Sequence, residues 1–222
     1  MVAGDRDQNG LIEYPRSGNL GDRPTPGSRP ANWWSCINFG HEDAYANALA
    51  YRAAAVFADA AEQPVMRARR HAAELRRAAQ VTYLPAFLDP DSGLLAGWRS
   101  KDGKRHDYAF TFVQGVAITY GLVPADTANA IMDRLLAKLR AVGFHDFALG
   151  LPDNLIAVPK GDYVQHGWAN AIGVDEPNRE DGTDAFQIYE NGGATGCYAY
   201  FTVSALPARP QRRRRAASSS RC

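Results

Sequence analysis

NWWSCINFGHEDAYANALAYR, residues 32–52, is the stretch on which the fold turns. Two adjacent tryptophans, Trp33 and Trp34, stand ahead of the acidic pair Glu42 and Asp43. From His41 onward Ala44, Ala48, Tyr51, Ala55, Val56 and Ala58 return at helical spacing, which predicts a helix over residues 41–62. Tandem tryptophans offer flat apolar faces to the C–H side of a pyranose, and carboxylates behind them can hold hydroxyls or protonate a glycosidic oxygen. The same pair fits a plain core equally well, because tryptophan is highly buried whatever its role.

Working outward, Pro64 opens a second predicted helix through about Tyr83, with Arg67, Arg69, Arg70, Arg76 and Arg77 set against Val65, Ala68, Ala72, Leu75 and Ala79. That is an outer helix with one wet face, and with the first it makes a helical hairpin. Upstream, residues 1–40 are rich in Gly, Pro, Asn, Arg and Asp and read as a long loop. Downstream, Asp102-Gly103 between apolar-bearing runs predicts a β-hairpin. A short apolar segment, residues 110–121, precedes an amphipathic helix from Pro124 to Arg140 with Ile131, Leu135, Leu136 and Leu139 on one face and Gly143 beyond its end. Residues 144–193 read as a long loop with scattered aromatics, residues 194–206 as an apolar helix, and residues 207–222 as a disordered Arg/Ser-rich tail. No buried strand alternates with these helices, which argues against a parallel α/β sheet.

A chain of 222 residues can bury a real core. Its net charge is +1, and Arg212, Arg213, Arg214, Arg215 and Arg221 supply five of the positive charges, so the body is slightly acidic and carries no nucleic-acid footprint. Cys36, Cys197 and Cys222 are too few and scattered for a disulfide framework or paired-cysteine metal site, and read as free thiols. Neither a leader nor a run of eighteen apolar residues can be read, which points away from membranes and favours a soluble, cytoplasmic chain.

Asp5-Arg6-Asp7-Gln8-Asn9-Gly10-Leu11-Ile12-Glu13 begins like a calcium loop, but Arg16 follows Pro15 where a bidentate Glu is needed, and an Asx-stabilised turn is the alternative. His41, Glu42 and Asp43 precede the first helix, where a carboxylate can cap it or face a ligand. Asp43 and Asn47, four apart, share a helix face, as a pocket wall would. Gln187-Ile188-Tyr189-Glu190-Asn191-Gly192-Gly193 holds a carboxylate and an amide ahead of a Gly-Gly turn; a bare helix cap needs less than this, so we favour a site here. Tyr163, His166 and Trp168 in the preceding loop can add aromatic walls.

Taken together, D-x-D-x-N-G-L-I-E-Y, the N-W-W…G-H-E-D-A-Y-x-N-A-L-A-Y-R-A run and Y-E-N-G-G-A-T resemble the six-hairpin, (α/α)6-barrel glycosidase superfamily, with its trehalase-like, glucosidase-like and rhamnosidase-like members, over residues 5–206. The resemblance implies a mainly α fold: part of an (α/α)6 toroid of helical hairpins with a β-hairpin insertion and long loops, and an acidic sugar-binding cleft at one end. Such a barrel has twelve helices where this chain predicts about five, so the match is to a partial domain. Ser35 stands where relatives often carry an acidic residue.

The expectation is therefore a glycoside hydrolase using paired carboxylates: Glu190 first, with Asp43 or Glu42 as its partner, about 6.5–9.5 Å apart for inversion or 5–5.5 Å for retention. Trp33, Trp34 and Trp168 would stack on sugar, Asn191 would bind a hydroxyl, and His41, Asn47, Gln187 and Tyr189 would line the cleft. No organic cofactor and no metal is called for; the partner is a saccharide, and exposed helix faces invite self-association. The alternatives are a catalytically degenerate sugar-binding remnant and a ligand-free helical scaffold.

Overall fold

The computed structural model describes residues 4–15, 17–18, 31–32, 36–60, 66–164 and 177–206. The predicted stacking residues Trp33, Trp34 and Trp168, with Ser35, His166 and the tail 207–222, lie outside the described residues.

Five α-helices are described: α1 (Ala44–Ala60), α2 (Met66–Phe87), α3 (Thr111–Thr119), α4 (Ala125–Ala141) and α5 (Ala199–Ala205). Short strands β1 (Glu42–Asp43), β2 (Trp98–Arg99) and β3 (Arg105–His106) form one antiparallel sheet, with Asp43 opposite Trp98 and Trp98 opposite His106. Strands β4 (Leu151–Pro152) and β5 (Ala194–Thr195) form another. The fold is thus helices in hairpin pairs with small antiparallel sheets at their ends, and the hairpin around Gly103 is the one that Asp102-Gly103 predicts.

Several predicted boundaries need correction. Helix α1 starts at Ala44 rather than His41, because Glu42 and Asp43 are taken up by β2. Helix α2 runs on to Phe87 past Pro85, and two carbonyls of its last turn are met by Arg105, whose Nε donates to Ala86 O at 2.8 Å and whose Nη2 donates to Pro85 O at 2.6 Å. The predicted helix 194–206 is really a strand and a shorter helix, since Ala194 and Thr195 pair with β4. The apolar segment 110–121 is α3, and the loop 144–193 carries three 3-10 turns, Phe147–Leu149, Lys160–Asp162 and Thr183–Ala185.

Helix α3 is the centre of the core: eight of its nine residues are buried, and it packs against both α1 and α5, while α2 packs on α1 and α4 on α3. Its one buried amide is satisfied locally, Gln114 accepting from Leu95 N at 2.8 Å and donating to Leu95 O and Phe110 O. Phe39 packs in tilted contact with Trp98, Phe110 and Phe112 at centroid distances of 4.7, 4.9 and 6.3 Å. Helix α4 buries Ala128, Ile131, Met132, Leu135 and Leu139, with Asp126 in its first turn and Lys138 and Arg140 in its last, complementing the helix dipole. None of the described helices is long and apolar enough to cross a membrane.

Candidate carboxylate site

The starts of α1, α3 and α5 are tied to the two small sheets. Ala44 N, opening α1, donates to Gly97 O beside β2; Thr111, opening α3, donates from its N to Asp153 O and from its hydroxyl to Pro152 O of β4; β5 leads within a few residues into α5. Helix starts favour negative charge, and four buried carboxylates, Glu42, Asp43, Asp153 and Glu190, lie at these junctions.

Glu190 sits in a turn of constrained backbone. Gln187 and Tyr189 have φ of 68° and 45°, unusual for side chains other than glycine, and are held by Gln187 N donating to Asn191 O at 2.7 Å and Gly193 N to Tyr189 O at 3.0 Å. Gly192 (φ 85°) leaves no space for a side chain, since a Cβ would lie 2.7 Å from the Phe186 ring. The Glu190 carboxylate accepts from Cys36 N at 3.0 Å and from the Cys36 thiol at 2.8 Å. Burial, and next the charge of Glu190, pushes that thiol far above its ordinary range.

Asp153, which the sequence reading missed, joins Glu190. Its backbone N donates to Gly193 O at 3.3 Å and its Oδ1 accepts from the Thr195 hydroxyl at 3.0 Å. Burial, opposed by the Thr195 bond and assisted by the Glu190 charge, pushes its carboxyl up to about 7. Tyr198 feels the charge of both, its phenol raised first by burial, and its ring meets Tyr45 edge-on at 5.7 Å.

Asp43 is wholly buried and caps α1: Oδ1 accepts from Ala46 N at 3.0 Å and Oδ2 from Asn32 at 2.7 Å. Burial pushes it to about 7 against these bonds. Glu42 is equally buried and pairs with Arg99 at 2.5 Å while accepting from Asn9 at 3.2 Å. Asp7, Glu13 and Glu42 bring carboxylate oxygens within 4.8 Å of one another. Arg99 answers that negative charge: its guanidinium is raised first by its bond to Glu42, with Asp7 and Glu13 adding to it. His41 lies 3.8 Å from Glu13. In the calcium-like stretch, Asp7 accepts from Asn9 N and Asn9 from Leu11 N, the Asx turns of the alternative reading.

The remaining predicted residues divide by exposure. Tyr189 is 57% exposed, and Gln187 is exposed as well. Asn47, expected to line a cleft, instead bolts the N-terminal segment to α1, donating to Ile12 O and accepting from Ile12 N at 2.6 Å. Asn191, expected at a sugar hydroxyl, is 1% exposed and spends its amide on the chain: Oδ1 accepts from Val158 N at 2.9 Å and Asn154 at 3.1 Å, and Nδ2 faces Val158 O and Gly182 O. The cost of leaving such a group unpaired explains why the loop is built around it.

A second buried polar cluster also went unread. His106 stacks flat on Trp98 at 4.6 Å, its Nδ1 lies 2.6 Å from Asp162 Oδ2 and its Nε2 2.9 Å from Ser100 Oγ, while the Tyr108 hydroxyl also donates to Asp162. The order Ser, His, Asp is that of a nucleophilic triad, but the Ser100 hydroxyl is 2.8 Å from Asp102 Oδ1, donates there, and is buried. Ser100 thus braces the β2–β3 hairpin, while His106 and Tyr108 fasten it to Asp162 of the 160–163 turn.

The chain matches no family model, no curated protein and no solved structure.

Proposed function

We propose that the chain is a carbohydrate-active protein of the six-hairpin glycosidase kind, hydrolysing a glycosidic bond with Glu190 as a catalytic carboxylate. The observation that carries the reading is the pair of buried carboxylates Asp153, whose backbone O accepts from the start of α3, and Glu190, in the turn ahead of β5, close enough for the charge of Glu190 to raise the Asp153 carboxyl. The packing order supports it too: α1, α3 and α5 pack side by side, with α2 and α4 each on its hairpin partner, as one arc of an (α/α)6 toroid would. Cys36, the partner of Glu190, lies two residues after Trp34 in the chain, which favours a stacking role for the tryptophan pair. The partner is a saccharide, and neither nucleic acid nor membrane enters the proposal.

The test is thermal-shift or calorimetric screening of the purified chain against a panel of disaccharides, with parallel detection of released monosaccharide. Binding with release supports the hydrolase; neither binding nor release overturns it. Binding without release supports the second reading, a sugar-binding remnant, which is favoured by the burial of Glu190 against Cys36. Self-association belongs to the same proposal: Leu49, Val56 and Phe57 are exposed on α1 and Tyr200 and Val203 on α5. Sedimentation of a monomer at all concentrations would remove it.

A further inference from the structure

We infer that Asp153 is the general acid of this site, working opposite Glu190 as the base, so that the reacting pair comes from the β4–β5 junction and not from Glu190 with Glu42 or Asp43. This rests on the glycosidase reading and deepens it.

Geometry brings the two together. Pro152 pairs with Ala194, Asp153 N donates to Gly193 O, and Gly193 N closes the turn that carries Glu190 by donating to Tyr189 O. The carboxyl of Asp153 is fixed at one oxygen only: Thr195 donates to Oδ1, and among the described residues Oδ2 takes no hydrogen bond. Its backbone is fixed as well, because Thr111 N at the start of α3 donates to Asp153 O at 2.9 Å.

The alternatives are occupied. Both oxygens of Asp43 serve Ala46 N and Asn32, and Glu42 is the counter-ion of Arg99. A carboxylate committed to a guanidinium and to Asn9 is not placed to meet a glycosidic oxygen.

Burial, and the charge of Glu190 beside it, keep Asp153 protonated up to about pH 7. A carboxyl that holds its proton near neutrality is what the acid of glycoside hydrolysis requires.

The step balances. As the bond between the anomeric carbon and the glycosidic oxygen breaks, its electron pair goes to that oxygen, which takes the proton of Asp153. Water attacks the anomeric carbon and loses a proton to Glu190. Asp153 ends ionised and Glu190 protonated, and solvent exchange restores both.

The experiment compares wild type, Asp153→Asn and Thr195→Ala on the disaccharide that the panel identifies and on a dinitrophenyl glycoside of the same sugar, with circular-dichroism melts of each. Asp153→Asn should lower kcat/KM on the disaccharide about 10²–10⁴-fold, the usual size of general-acid assistance. On the dinitrophenyl glycoside, whose leaving group needs no proton, it should stay within about tenfold of wild type. The basic limb of its pH profile should vanish, and Thr195→Ala, which removes a bond to the charged form, should move that limb to higher pH. If Asp153→Asn keeps disaccharide turnover and the basic limb, the assignment is overturned while the glycosidase reading stands. If wild type releases no sugar, the reading itself fails and takes the assignment with it. Should Asp153→Asn fail to fold, an unmoved limb in Thr195→Ala overturns the assignment.

Discussion

Cys36 gives both its backbone N–H and its thiol to one carboxylate, that of Glu190, at 3.0 and 2.8 Å across 154 residues of chain. This joins the segment after the tryptophan pair to the turn ahead of β5.

Replacing Cys36 by alanine removes the thiol donor from Glu190 and keeps the backbone donor. Equilibrium denaturation should show a loss of about 1–3 kcal/mol, with most of it regained in Cys36→Ser, whose hydroxyl can still donate. In the native protein Cys36 should resist an aromatic disulfide reagent that modifies the exposed Cys197 at once, and should react only on unfolding.

Stability should fall as pH rises from about 4 to 7. Asp43 and Asp153 ordinarily titrate near 3.8, and in the fold both are raised to about 7. Between these values the native state holds protons that the unfolded chain has released, so the stabilisation complete below pH 4 is lost as pH climbs through 7. The scale is about 4 kcal/mol per group at most. Denaturant midpoints at pH 5 and pH 8 should differ in that sense, and Asp153→Asn should narrow the difference.

His106→Ala should cost about 3–5 kcal/mol, because it takes the imidazole from the buried Asp162 carboxylate and uncovers the face of Trp98. A fluorophosphonate should not label Ser100 in the folded protein; labelling at that serine would show that its hydroxyl serves His106 as a nucleophile instead of anchoring the hairpin.

Gly115→Ala should be among the most damaging single-carbon changes in α3. A Cβ there would stand 2.4 Å from the backbone of Phe201 and Thr202, forcing α5 away at about 1–3 kcal/mol. Gly161→Ala, where nothing lies within 4 Å, should leave the thermal midpoint nearly unchanged.

Much of the helical framework could be read from spacing. Helix α4 announces itself because its one apolar face repeats against charged neighbours, and the β2–β3 hairpin because Asp102-Gly103 favours a tight turn. Helix α3 was harder to see, since a helix buried on nearly every side has no wet face to mark its period. The break between β5 and α5 was illegible because it depends on β4. Among the buried carboxylates, the tight turn of Glu190 was visible from its local run of Tyr, Glu, Asn and two glycines. Asp153 was not: its hydrogen-bond partner Thr195 is 42 residues away, and an aspartate between Leu151 and Leu155 carries no local pattern. Asn47 and Asn191 were read as ligand groups because an amide on an apolar background looks the same whether it meets a sugar or a distant backbone.

The run 36–39 finds its partners late. Ile37 bridges to Tyr163, Asn38 N donates to Asp162 O, and Cys36 waits for Glu190. At about 5–20 residues per second the ribosome adds those 154 residues in roughly 8–30 seconds. During that interval helices α1 to α4 are made, and Tyr163 and Val164 reach the backbone of Ile37 and Cys36 before the acceptor of the Cys36 thiol exists. Biogenesis is therefore ordered, with the helical hairpins settling first and the carboxylate end closing only once the turn around Glu190 has left the exit tunnel.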